Sequence, residues 1–250
     1  MLANDSRAPA RSTRSRITVA VVALASFSSA LGCSSQSQTN SPSSIPDAAA
    51  LGAARNPDGV PYPSSSGGHT ARMGSTPGSV IQNFTFQGYP NADASKGLQT
   101  ISLADYYDPC GKRLKMLHLT VAGAWCVPCA EETDALVAAK AQLASERVTV
   151  IQALGDGPTE GVPATMTDLD HWIAKHGSNF TEMLDPNLAN LGAFFNANNV
   201  PWNCDIDPRT MEIIRDGTGW PGDLNSDLQP SLTALPAVPS YPIPAVCGDQ

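Results

Sequence analysis

Regular hydrophobic patterning is confined to about residues 80–222 of the 250-residue chain. Apolar and polar side chains alternate over 84–89 and again over 98–103, which predicts two strands. Residues 114–121 and 147–154 are mostly apolar or β-branched, which is typical of strands buried within a sheet. The pattern therefore predicts four strands in this part of the chain.

Helical spacing is found between and after the two buried strands. Residues 127–145 place their apolar side chains on one face and contain no glycine, which predicts a helix. Thr167 and Asp170 have the spacing of a capping box, and this predicts a second helix that ends at Gly177. A further short helix is predicted over 187–195.

The order of these elements predicts the fold class. Residues 203–207 and 211–215 are expected to form a hairpin around a Pro-containing turn. Strand, helix, strand, helix and hairpin thus follow one another along the chain. This order favours an α/β fold with a central mixed sheet and helices on both of its faces.

The two ends of the globular region have a different composition. Residues 33–79 are rich in Ser, Pro, Gly, Asn and Gln and have few large apolar side chains, so we expect a disordered tether. Residues 223–250 contain five prolines and are expected to form a tail that wraps around the surface.

Residues 1–32 show the features of a secretory signal peptide in the usual order. Four arginines precede a mostly apolar stretch over 17–31, which serines shorten to less than a membrane span. Ala30-Leu31-Gly32-Cys33 resembles a bacterial lipobox, in which the Cys is lipidated and becomes the new N-terminus, although Leu is usual in place of Ala30. The alternative is an ordinary cleaved signal in which Cys33 has no role.

Composition and charge exclude several classes of partner. The formal net charge is −8, from 15 Lys and Arg against 23 Asp and Glu. This charge argues against binding to nucleic acid and against a polybasic membrane surface. The chain has no apolar run of about 18 residues, which argues against a protein with several membrane spans.

The strongest chemical motif is Trp125-Cys126-Val127-Pro128-Cys129. It follows a predicted buried strand and opens a predicted helix, so Cys126 lies where free N–H groups and the helix dipole stabilise a thiolate. Such a thiol should ionise more readily than free cysteine, whose pKa is about 8.5. Cys126 could attack a substrate disulfide, and Cys129, one turn further on, could resolve the product.

A single Cys-x-x-Cys motif also allows two other interpretations. It could be half of a zinc site, but no second pair of Cys or His residues appears at zinc-binding spacing. We therefore expect no metal. It could also be an inert structural disulfide.

With Val200-Pro201 about 70 residues after the motif, and Cys-Asp-Ile-Asp beyond it, the chain resembles the thioredoxin superfamily. The resemblance covers about residues 80–222 and is greatest for the membrane-anchored thioredoxin-like reductases of the TlpA and ResA kind. It implies a cis proline at Pro201 that faces the active cysteines. It also implies a substrate groove formed by Trp125, Val200 and Trp202, although Trp202 could instead cover the core.

The resemblance further implies a modulating acid near the cysteines. Glu132 matches an acidic position that is common in this subgroup, although a first-turn acid favoured by the helix dipole would look the same. Thioredoxin has a buried Asp six residues before its first Cys, and here that position is Thr120. Proton transfer could therefore involve Glu132, Thr120 or water.

Three cysteines remain outside these motifs. Cys110 precedes the predicted strand 114–121, whereas Cys204 lies near the opposite end of its expected antiparallel neighbour. At about 3.3 Å per residue, these two should be too far apart to bridge. We therefore hypothesise a Cys110–Cys247 disulfide that holds the C-terminal tail, together with a buried, free Cys204.

The preferred function is an exported thiol–disulfide oxidoreductase that uses Cys126 and Cys129 and no cofactor. Its expected partners are protein thiols and disulfides and an upstream electron donor, with a lipid anchor that places it in the periplasm or at the cell exterior. We expect a monomer. The alternative is a thioredoxin-fold lipoprotein that acts as a binding or scaffold module. A thiol peroxidase is disfavoured because Gly123 occupies the position where a peroxiredoxin needs Thr.

Overall fold

The computed structural model describes residues 54–63, 73–235 and 245–248. The predicted signal peptide, Cys33 and the first part of the predicted tether lie outside these residues. Within the described part of the chain, no helix combines the length and the hydrophobicity needed to cross a membrane.

One mixed sheet forms the centre of the fold, in the order β2-β1-β5-β4-β3-β6-β7. β3 pairs in parallel with β4, and β4 with β5, whereas the other neighbours are antiparallel. The strands are β1 Thr85–Tyr89, β2 Gln99–Ser102, β3 Met116–Gly123, β4 Val148–Asp156, β5 Thr181–Leu184, β6 Trp202–Asp207 and β7 Glu212–Thr218. The predicted strands and the hairpin are all present, and β5 is the strand that the sequence pattern did not reveal.

Helices cover the sheet and are shorter than the pattern predicted. The predicted helix over 127–145 is divided at Ala139, whose ψ of 10° departs from helical geometry. The capping box of the next helix is formed by Thr165 and Asp168, two residues earlier than predicted, and that helix ends at a left-handed Gly177 as expected. Among the described residues, the α-helices are α1 Val127–Ala138, α2 Lys140–Glu146, α3 Met166–His176 and α4 Leu224–Ala234.

Two predicted elements are wrong in the second half of the chain. The helix expected over 187–195 is reduced to a single 3-10 turn, Pro186–Leu188. The tail expected from residue 223 instead begins with α4, which Asp223 caps by accepting a hydrogen bond from the Ser226 N–H at 2.8 Å. Pro230 lies inside this helix, which is why composition suggested a tail.

The tether also ends earlier than composition predicted. Residues 54–63 and 73–79 are part of the folded unit, and the buried Tyr62 hydroxyl donates a hydrogen bond to the Ile81 carbonyl at 2.9 Å. The side-chain amide of the buried Asn56 donates to the Tyr107 carbonyl at 3.1 Å. One aromatic anchor and one amide therefore hold a segment whose composition alone predicts disorder.

The two faces of the sheet are covered differently. Successive residues of a strand point to opposite faces. On one face, Met116 packs with residues of α1, α2 and α4, while α3 covers the adjoining part with Leu169 and Trp172. On the other face, Leu117 and Leu119 pack against the 3-10 turns and the N-terminal segment. The described α-helices thus lie on the face that also carries His118 and Thr120, and 3-10 turns cover the other face.

The remaining cysteines are arranged as the sequence hypothesis proposed. Cys110 and Cys247 form a disulfide, 137 residues apart in sequence, that joins the C-terminal segment to the loop before β3. Cys204 is a free thiol, fully buried on the face opposite the α-helices. Burial raises the pKa of this thiol, which keeps it protonated and unreactive.

Candidate active site

Cys126 and Cys129 form a disulfide at the junction between β3 and α1. Cys126 is the N-cap of α1, and its Sγ accepts a hydrogen bond from the Cys129 backbone N–H at 3.1 Å. Pro128 occupies the first turn, where its missing N–H has no cost. Cys126 is 3% exposed and Cys129 is 0% exposed, so a substrate sulfur can approach only the first cysteine.

The loop before β6 lies against this disulfide. The Val200–Pro201 peptide bond is cis, and the Val200 carbonyl oxygen lies 3.5 Å from the Cys126 Sγ. Trp125 is half-buried, and its indole N–H donates to Asp156 at 3.2 Å. Val127, at 67% exposure, leaves an apolar side chain in solvent beside Cys126. The structure thus brings together the cysteines, Trp125 and the Val200–Pro201 segment predicted from the sequence.

Trp202 does not contribute to this surface, so its assignment to the substrate groove is wrong. It is 1% exposed and packs on the face opposite the α-helices. Its ring stacks on Phe195 at 5.1 Å between centroids and lies near Phe194 at 5.4 Å. Strand alternation explains this position, because the neighbouring Asn203 points to the opposite face of the sheet.

Glu132 and Thr120 are in contact beneath α1. The Thr120 hydroxyl donates to one carboxylate oxygen of Glu132 at 3.3 Å, and the side-chain amide of Asn203 donates to the other at 2.6 Å. Burial raises the pKa of Glu132 to about 7, although the nearby His118 and these two hydrogen bonds oppose the shift. Glu132 is therefore a buried acid held by specific partners, and a surface acid placed only by the helix dipole is excluded.

A row of polar side chains crosses the sheet beneath α1. Asn203, Thr120, Gln152 and Glu182 occupy paired positions on four neighbouring strands. Gln152 accepts a hydrogen bond from the Trp172 indole at 2.8 Å. Glu182 is fully buried, and its burial raises its pKa to about 8, with a smaller opposing effect from Ser178.

Sequence reasoning missed a second buried polar cluster on the same face. His118 Nδ1 lies 2.7 Å from Asp205, and Arg215 Nη2 lies 2.9 Å from Asp227. Burial alone would lower the pKa of His118, but the bond and charge of Asp205, with Asp227 and Glu132 nearby, raise it to about 9. A His at alternating spacing with Thr120 could have indicated an inward orientation, whereas nothing local in the sequence indicated the partners.

Comparison with known proteins places this arrangement in a family. The profile of the AhpC/TSA family matches residues 77–216, which is more than half of the chain. No curated protein sequence matches the chain.

Several solved structures are similar at low identity. An inferred thiol:disulfide interchange protein DsbE from Chlorobium tepidum is 19% identical, with a TM-score of 0.49 over 66% of this chain and 99% of that one. A secreted Mycobacterium tuberculosis disulfide oxidoreductase, homologous to Escherichia coli DsbE, is 16% identical, with a TM-score of 0.43 over 61% and 96%. The exposed lipoprotein thioredoxin Etrx1 of Streptococcus pneumoniae is 19% identical, with a TM-score of 0.43 over 60% and 98%. On the match of the family profile, the chain belongs to the AhpC/TSA family of thioredoxin-fold proteins.

Proposed function

We propose that this protein is an exported thiol–disulfide oxidoreductase that exchanges disulfides with other proteins through Cys126 and Cys129. The observation that carries the proposal is the position of the Cys126 sulfur. It caps α1, accepts the Cys129 N–H at 3.1 Å and lies on the accessible side of the disulfide. The same N–H and the helix dipole stabilise a thiolate after reduction, and the thiolate is the species that attacks disulfides.

The exchange follows from the unequal burial of the two cysteines. In the reduced protein, the Cys126 thiolate attacks one sulfur of a substrate disulfide, and the other substrate sulfur leaves as a thiolate that takes up a proton. Cys129 then loses its proton and attacks the Cys126 sulfur. The Cys126–Cys129 disulfide forms, and the second substrate sulfur leaves as a thiol. Run in reverse, the same steps oxidise a substrate dithiol.

The surroundings of Cys126 fit a polypeptide substrate. The exposed Val127 and the half-buried Trp125 and Val200 provide apolar contacts around a narrow access to the sulfur. The Val200 carbonyl, beside the Cys126 Sγ, is an acceptor for a backbone N–H of an extended substrate segment. We propose that the substrates are protein thiols and disulfides, and that an upstream protein is the electron donor.

The site of action is proposed from the N-terminal sequence. The arginine-rich start, the apolar stretch over 17–31 and the lipobox-like ending at Cys33 support export and a lipid anchor. An exported domain on such an anchor would act as a monomer in the periplasm or at the cell exterior. Metabolic labelling with a fatty acid, lost in Cys33→Ser, would support the anchor.

Insulin reduction tests the catalytic proposal. We expect the protein, supplied with dithiothreitol, to accelerate precipitation of the insulin B chain, because Cys126 exchanges with the interchain disulfides. Cys126→Ser should reduce the rate to that of dithiothreitol alone. Cys204→Ala, which removes a thiol buried on the opposite face, should keep the activity.

The alternative is a scaffold or binding module whose disulfide only stabilises the fold. In that case Cys126→Ser would leave the measured rate unchanged, and this outcome would reject the enzyme proposal. Peroxide consumption is not expected, because Gly123 replaces the Thr that a peroxiredoxin needs three residues before its reactive Cys.

A further inference from the structure

Three buried side chains converge behind the active-site helix from three different elements. His118 comes from β3, Glu132 from α1 and Asp227 from α4, and one donor atom of each lies within 4.8 Å of the others. All three residues are buried. We infer that His118, Glu132 and Asp227 form a binding site for a single divalent transition-metal ion of the Zn²⁺ type.

Two of the three donor atoms point into the cluster without a hydrogen-bond partner. His118 Nε2 and Asp227 Oδ2 are buried and make no hydrogen bond within the described part of the chain. They lie 3.9 Å apart, which is beyond hydrogen-bond distance. Buried polar atoms are almost always satisfied because leaving one unpaired costs about 1–3 kcal/mol. A shared cation would satisfy both.

His118 is oriented as metal-binding histidines are. Its Nδ1 lies 2.7 Å from Asp205, which also contacts the Ser231 hydroxyl and lies 3.5 Å from Arg215. A carboxylate on one ring nitrogen fixes the tautomer and directs the other nitrogen to the metal. The second nitrogen of His118 is the atom that faces Asp227.

The two carboxylates are held in a similar way. Asn203 and Thr120 donate to Glu132, and each oxygen keeps a lone pair for a further contact. Arg215 binds Oδ1 of Asp227 at 2.9 Å and leaves Oδ2 directed at His118. The supporting hydrogen bonds therefore position the ligands and leave their donor atoms available.

The ligand set and the charge favour a divalent transition metal. Zn²⁺ binds imidazole nitrogen and carboxylate oxygen together and accepts three protein ligands with water as the fourth, whereas Ca²⁺ and Mg²⁺ prefer oxygen alone. Asp205, Asp227 and Glu132 supply three carboxylates, and Arg215 is the cation that contacts two of them. A bound ion would displace the proton from the imidazole, and the three ionised carboxylates beside one arginine would then have an excess of two negative charges, which matches a divalent ion.

The spacing needs only a small contraction around an ion. Ligands at about 2.0–2.1 Å from a tetrahedral zinc lie about 3.4 Å from each other. The present separations of up to 4.8 Å would close through side-chain shifts of about 1 Å. A 280 Å³ pocket, lined in part by Asn203, Arg215 and Asp227, reaches one of the three ligands, and an ion would enter from it past Asp227.

Metal binding by the oxidised protein tests this inference. The test uses oxidised Cys33→Ser protein, in which two disulfides occupy four of the five cysteines and the buried Cys204 is the remaining thiol. Titrated with CoCl₂ alone, this protein should bind one ion per chain and develop visible absorption bands of tetrahedral Co²⁺, which ZnCl₂ should then displace.

Variants of single residues test which side chains bind the ion. Asp227→Asn should weaken Co²⁺ affinity by about 100-fold or more, and Asp205→Asn, which acts through His118, by about 10- to 100-fold. Asp134→Asn is the matched control, because it breaks another His–Asp pair, Asp134 with His176 at 2.6 Å, and should not change the affinity. Far-ultraviolet circular dichroism checks that each variant is folded.

A second measurement needs no variant of the cluster. In histidine-labelled protein, CoCl₂ should shift or broaden the ring signals of His118 strongly and leave those of the exposed His171 nearly unchanged. Absence of Co²⁺ binding at millimolar concentration would overturn the site. So would an affinity that both Asp227→Asn and Asp205→Asn leave unaltered, or an unperturbed His118 ring. Because the protein is oxidised and no exchange is measured, these outcomes are independent of the oxidoreductase activity.

Discussion

Replacing Cys129 with serine should trap the protein on its substrate. The Cys126 thiol would still attack a substrate disulfide, but no buried thiol would then attack the mixed disulfide. Incubation of reduced Cys129→Ser protein with insulin should give a covalent adduct, visible on a non-reducing gel and removed by dithiothreitol. Mass spectrometry should locate the bond at Cys126.

Two control proteins test whether the adduct forms through Cys126 and is resolved by Cys129. In the unaltered protein, Cys129 should resolve the adduct and keep it below detection. In Cys126→Ser, the remaining Cys129 is fully buried and should form no adduct. An adduct through Cys129, or none in either variant, would contradict the assignment of attacking and resolving roles.

Glu182→Gln should remove a large pH dependence of stability. Burial raises the pKa of Glu182 to about 8 from a reference of 4.5, so the folded state holds a proton that the unfolded state releases. The stabilisation is complete below about pH 4.5 and is lost as the pH rises through about 8. The full loss amounts to about 5 kcal/mol, at about 1.4 kcal/mol for each pKa unit, and about 4 kcal/mol of it occurs between pH 5 and pH 9.

Urea unfolding at pH 5, 7 and 9 measures this effect. Glutamine stays neutral, so the variant should gain stability relative to the unaltered protein as the pH rises. Between pH 5 and pH 9 this gain should be about 4 kcal/mol. Glu160→Gln, in an exposed loop, should show no such gain. Parallel pH profiles for the protein and Glu182→Gln would show that burial does not raise this pKa.

Much of the fold could be predicted because its strongest elements follow local rules. β3 and β4 are nearly continuous apolar stretches, and the cysteine motif lies between β3 and a stretch without glycine that forms a helix. The match of Val200-Pro201 to the superfamily motif predicted the segment that faces Cys126. These features depend on neighbours in sequence or on one motif match, so the sequence was sufficient to find them.

Elements that depend on tertiary contacts were missed. β5 has only four residues and buries Glu182, so neither its length nor its polarity indicated a strand. α4 contains Pro230, but Leu228 and Leu232 on its inner face pack against the core and stabilise it. Composition alone therefore predicted a tail where packing forms a helix.

The partners of single buried residues also depend on tertiary contacts, as the polar cluster around His118 shows. His118 and Asp227 lie more than 100 positions apart, and only the packing of α4 onto the sheet brings them together. Trp202 follows the motif proline and was therefore predicted to line the groove, yet strand alternation turns its ring into the opposite core. In both cases, the face of the sheet to which the side chain points determines its contacts.

Alkylation of the reduced protein tests most directly whether Cys126 is the exchanging thiolate. Samples treated briefly with iodoacetamide between pH 5 and 9 are quenched, digested and mapped by mass spectrometry. The account predicts that Cys126 reacts much faster than Cys129, and that its rate reaches a plateau at a lower pH than that of free cysteine. Preferential labelling of Cys129, or a Cys126 profile equal to that of free cysteine, would contradict it.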